Sequence, residues 1–147
     1  MSPSTMRGRW RLEKHRGDPA DVGNRGVSHD GGMIEVTRER FEDLVGEALD
    51  TIPEELARLM ENVVVLVDDH PPAGRRIRGL YQGVPLTQRG HRYSGMLPDR
   101  IHIYRFPIQR MSSSEEDIIE QVRITVVHEV GHHFGIKESR LHELGYG

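Results

Sequence analysis

The chain contains no cysteine, which removes disulfide frameworks, iron–sulfur clusters, thiolate zinc sites and cysteine nucleophiles together. Any metal it binds must therefore be held by His, Asp or Glu. Long apolar runs are missing too. The longest is Val63 to Val67, far short of the roughly 18 residues that cross a bilayer, and the amino terminus has no apolar, signal-like stretch. The expectation is a soluble, cytoplasmic protein with no membrane partner. With 147 residues there is material for one compact domain and not for two catalytic ones. Nor is there a strong charge of one sign. Before residue 30 six basic residues face three acidic ones, +3, while the remainder has 14 against 20, −6. Phosphate recognition needs a basic face, so the main body is not expected to bind nucleic acid.

Residues 1–32 are rich in Gly, Pro, Arg and Ser, have no apolar periodicity and close on Asp30-Gly31-Gly32. Such a segment buries too little surface to order itself, and it is expected to be a flexible basic extension of a 33–147 domain. From Ile34 the pattern changes. Thr37 offers a helix cap, and Phe41, Leu44, Val45, Ala48 and Leu49 recur at helical spacing. Pro53, Leu56, Leu59 and Met60 predict a short second helix leading into a buried strand over Val63 to Val67. The Gly- and Pro-rich stretch from His70 to Gly95 reads as a long loop with a short hairpin at most. Ile101 to Phe106, a β-branched and aromatic run closed by Pro107, predicts a second strand. Few strands and separate helices indicate an α+β fold.

Ser112 to Ser114 followed by Glu115, Glu116 and Asp117 caps a long helix with acids where its dipole favours them, and Gly135 suits its end. Within that helix lies His128-Glu129-Val130-Gly131-His132, the HExxH pattern. Two histidines four residues apart share a helix face and can ligate one metal, with the glutamate beside them as a base. Ile118, Ile119, Val122, Val126, Val127, Val130 and Phe134 fill about half the helix circumference, and the two histidines fall off that arc. His133 falls within it, predicting a buried, hydrogen-bonded imidazole. Arg123 also interrupts the arc, its stem packed and its head reaching water. A catalytic zinc needs a third ligand and an open position for water. The spacing HExxHxxGxxH, whose glycine turns the chain back under the metal, places Gly135 and Glu138 here, with His142 and then Glu143 as rival ligands. For an oxyanion donor His91, Arg92, Tyr93 and Tyr104 are all conceivable.

The string HEVGHHFGIKESRL resembles the active-site segment of a family of short bacterial proteins with a minimal zincin fold, described as metallopeptidases, whose motif is HExxHxxGxxD. FEDLVGEALDTIPEEL, GLYQGVPLTQRG and LPDRIHIYRFPI resemble that family's other segments in the same order, from about Met33 to the end. The resemblance implies zinc as cofactor, His128 and His132 as ligands, Glu129 as catalytic base and Glu138 as third ligand where the family has aspartate. It also implies a peptide or protein substrate, and a sheet edge bordering the cleft that Ile101 to Phe106 would supply. No methionine follows the motif, so the Met-turn of true metzincins is absent. The rival expectation is a metal-binding or protein-interaction module that keeps the scaffold without turnover.

Overall fold

A computed structural model of the protein describes residues 4–6, 10–13, 34–83 and 98–145. Thr37 caps the first helix, α1 (Arg38–Leu49), by accepting the Arg40 N–H on its hydroxyl oxygen, and the predicted apolar face of α1 is buried. Pro53 precedes α2 (Glu54–Ala57), which continues as a single 3-10 turn over Arg58–Met60. The strands are β1 (Ser4–Met6), β2 (Trp10–Glu13), β3 (Val63–Asp68), β4 (Gly79–Gln82) and β5 (Asp99–Tyr104). They form one mixed sheet in the order β1-β2-β3-β5-β4, with β2, β3 and β5 parallel and the two outer strands antiparallel to their neighbours. The remaining helices are α3 (Arg105–Arg110), α4 (Glu115–His133) and α5 (Glu138–Glu143). The architecture is α+β, and no helix among the described residues is long and apolar enough to cross a membrane.

Strand register sorts the side chains into two faces, because successive residues alternate. Leu12, Val65, Ile101 and Tyr81 stand in one row across the sheet, and Val67, Ile103 and Gly79 in the next. This face packs under α1 and α4, where Phe41, Leu44, Ile118, Val122 and Val126 close the core. The opposite face carries a polar chain: the His102 ring lies 2.8 Å from Asp68 Oδ2 through Nδ1 and 3.2 Å from Gln82 Oε1 through Nε2.

Three expectations are corrected here. The 1–32 segment is not wholly an unstructured arm, since Trp10 and Leu12 are buried in the core and Trp10–Glu13 pairs with Val63–Leu66. Two apolar residues at strand spacing suffice when a ready-made parallel partner lies beside them. Residues 14–33 lie outside the described residues. The second strand stops at Tyr104, and Pro107 sits in the first turn of α3 instead of closing the strand, a position where a missing N–H costs nothing. Finally, Ile101 lies on an interior strand. The edge strand beside the HExxH helix is β4, drawn from the stretch expected to be mostly loop.

Candidate functional site

Helix α4 begins as expected. The Ser114 hydroxyl accepts the Asp117 N–H at 3.1 Å, and Asp117 Oδ2 accepts from the Ser113 N–H and hydroxyl at 3.0 and 2.7 Å. Those bonds, the hydroxyl's first, hold the Asp117 carboxyl below its ordinary range. The helix ends in a Schellman turn. Ile136 N–H donates to the Gly131 carbonyl at 2.7 Å, Gly135 N–H donates to the His132 carbonyl at 3.3 Å, and Gly135 takes φ +74, which a side chain would strain. The chain thereby reverses within two residues and starts α5 with Glu138 as its first residue. Gly131, the second variable residue of HExxH, makes the return possible at close range. A Cβ there would lie 3.2 Å from both Leu141 Cδ atoms, so Leu141 of α5 fills the space that a larger residue would need.

This path brings His128, His132 and Glu138 together: one donor atom from each lies within 4.8 Å of the others. His132 Nε2 is 3.1 Å from Glu138 Oε2, and the two imidazole rings are 5.9 Å apart and nearly perpendicular. A tetrahedral zinc site with bonds of about 2.0–2.2 Å places its ligand atoms about 3.3–3.6 Å apart, so this donor set fits zinc after side-chain adjustment, the 3.1 Å His132–Glu138 separation opening slightly and wider ones closing. Two imidazoles and one carboxylate are also the three-ligand complement that leaves a position for solvent. His142 is exposed one helical turn further along α5 and does not join the group; Glu143 instead accepts from Arg140 at 2.9 Å.

Glu129 is half-buried between α4 and the sheet edge. Its Oε1 accepts the backbone N–H of Tyr81 at 3.1 Å. The Tyr81 hydroxyl donates to Asp99 Oδ2 at 2.7 Å, and its ring stacks on His133 with centroids 3.9 Å apart. This edge comes so close because Gly79, opposite Thr125 of α4, has no side chain to hold the layers apart.

His133 is therefore not the buried imidazole the helical arc predicts. It and Phe134 are exposed, because the core ends one turn before the helix does. Arg123 does send its head outward, onto the Thr51 hydroxyl oxygen and Glu120. Of the conceivable oxyanion donors, His91, Arg92 and Tyr93 lie outside the described residues. Tyr104 is buried alongside His102, and burial pushes its hydroxyl pKa up. Tyr81 had no signal of its own, since its contribution to the site is a main-chain N–H that every residue except proline carries.

No curated protein is matched by the chain. The family model described as zincin-like metallopeptidase matches residues 60–147.

Proposed function

The chain belongs to the zincin-like metallopeptidase family, and from that premise we propose that it hydrolyses peptide bonds, with zinc held by His128, His132 and Glu138 and with Glu129 as general base. The observation that carries this reading is the convergence of those three donor groups beside a glutamate whose carboxylate is already held in place. Zinc, when bound, supplies Lewis acidity and a water whose pKa is brought towards neutrality. The protein's own part is orientation and proton movement. Glu129 Oε1 is engaged by the Tyr81 N–H, so Oε2 takes the proton from the attacking water and returns it to the departing amine nitrogen. His128 and His132 are set by helical spacing on one face, and the Schellman turn sets Glu138.

The substrate we assign is a peptide in extended form lying along β4. Tyr104 N–H donates to the Arg78 carbonyl, which turns the even-numbered backbone groups of this antiparallel pair inward and those of Gly79 and Tyr81 outward; with the Tyr81 N–H taken by Glu129, the Gly79 groups and the Tyr81 carbonyl are left for the substrate. Strand addition at such an edge supplies affinity through main-chain hydrogen bonds. The test is cleavage of a peptide library by zinc-loaded wild-type and Glu129→Gln protein. The expected result is loss of about two to four orders of magnitude in rate with zinc content unchanged. Equal rates in both would reject Glu129 as the base, and zinc uptake without cleavage in either would leave a metal-binding module.

A further inference from the structure

We propose that Glu55 and Arg140 are positioning residues for the metal ligand Glu138, an inference that rests on the metal reading above. Glu138 opens α5, a helix of six residues, far too short to be stable by itself. Two anchors fasten it. Leu141 is fully buried against Gly131, a contact that holds α5 down but, being apolar packing, has no direction. The second anchor is directional. Arg140 Nε donates to both carboxylate oxygens of Glu55 at 3.1 Å, a terminal nitrogen also bonds Glu55 Oε1, and the other reaches Glu143 Oε1 at 2.9 Å.

Residues 140 and 141 project about 100° apart around the helix, so the pair together fixes the rotation of α5 about its axis. That rotation decides whether Glu138 Oε2 meets His132 Nε2, now 3.1 Å away. Glu55 belongs to α2 and precedes the segment matched by the family, which starts at residue 60. The ion pair is about half exposed, 42% and 45%, and exposed pairs contribute little to global stability. Its effect on the ligand is therefore separable from folding.

Arg40 and Glu115 provide an internal control. They form a similar two-bonded, half-exposed fork, at 3.0 and 2.7 Å, but join α1 to the beginning of α4, away from Glu138. Charge alone also makes a different prediction: removing the cation of Arg140 would tighten binding of another cation, whereas loss of positioning weakens it.

The experiment measures zinc affinity of the full-length, metal-free chain by competition with a chromophoric chelator. Wild type, Glu55→Gln, Arg140→Gln, the double variant and Glu115→Gln are compared, with thermal unfolding of each metal-free protein recorded alongside. Each single substitution at the pair is expected to weaken zinc binding about three- to fivefold. The double variant should bind no more weakly than either single one, because the two groups act as a unit. Glu115→Gln should match wild type in zinc affinity, and the melting temperatures of all metal-free variants should stay close together. Unchanged affinity in the single variants, additive losses in the double one, or an equal loss in Glu115→Gln would overturn the inference and leave the metallopeptidase reading standing. A wild-type chain that takes up no zinc would overturn both.

Discussion

At the scale of single residues, the site depends on two glycines at close approaches as much as on the groups with chemistry. Gly79 is the stricter. A Cβ there would lie 2.6 Å from Thr125 Cγ2 and 3.0 Å from the His102 carbonyl oxygen, so a methyl group pushes β4 away from α4. Gly79→Ala is expected to cost about 1–3 kcal/mol, the usual penalty of overpacking, read from the denaturant midpoint. Thr125→Ser in the same chain removes the opposing methyl and should restore part of that loss, with the backbone oxygen setting the remainder. Full stability in Gly79→Ala alone would contradict the close approach. The histidines and Glu129 were legible because an i, i+4 pair is a property of local helical geometry. Glu138 was legible by spacing, since it lies only three positions after the turn at Gly135. Tyr81, Glu55 and Arg140 were not, because their roles arise from segments distant in sequence.

At the scale of elements, apolar patterning located α1, β3 and α4, where four or more apolar residues recur, and Pro53 with three apolar residues after it located α2. Patterning failed where a strand is short. β2 contributes only Trp10 and Leu12 to the core, and their two-residue spacing is lost among the surrounding Arg and Gly. Leu12 is fully buried beside Val65, so Leu12→Ala should destabilise the protein by about 2–5 kcal/mol in urea unfolding. A flexible arm would give no change at all. β4 is similarly brief, and its Gly79-Leu80-Tyr81-Gln82 carries a single strongly strand-favouring residue. What makes it a strand is the ladder with β5. Likewise Pro107 marks a helix's first turn instead of a strand's end, a choice made by the chain's need to turn after Tyr104.

At the scale of the whole molecule, one ion network ties the layers together. Asp69, just after β3, takes Arg105 Nε at 2.9 Å and Arg38 at 2.9 Å, while Arg105 donates to the Val36 carbonyl at 2.8 Å and Arg38 to the Val67 carbonyl at 3.0 Å. The start of α1, the end of β3 and the junction of β5 with α3 thus meet at one carboxylate. Burial by itself would raise the Asp69 pKa, but Arg105 and then Arg38 outweigh it and hold the carboxyl below its ordinary 3.8. A group depressed in the folded state contributes stability that is complete above its unfolded pKa and is lost as pH falls through its folded one. The protein is therefore expected to weaken below about pH 4. Asp69→Asn should cost about 3 kcal/mol near neutrality, because it strands the buried Arg105 charge, and should flatten that acid limb. Chemical unfolding at neutral and acid pH measures both, and an unaltered acid limb would exclude Asp69 as its source. By itself the sequence determined the α+β class, the long helix that carries HExxH and the short set of side chains that are candidates to hold a metal, since each follows from residue type and spacing along a few turns of chain. Only the tertiary structure decided which strand forms the edge, that Glu138 and not His142 meets the histidines, and that a main-chain N–H holds Glu129. Those outcomes depend on where distant segments come to rest, and the energies that place them are packing and pairing terms no local pattern contains.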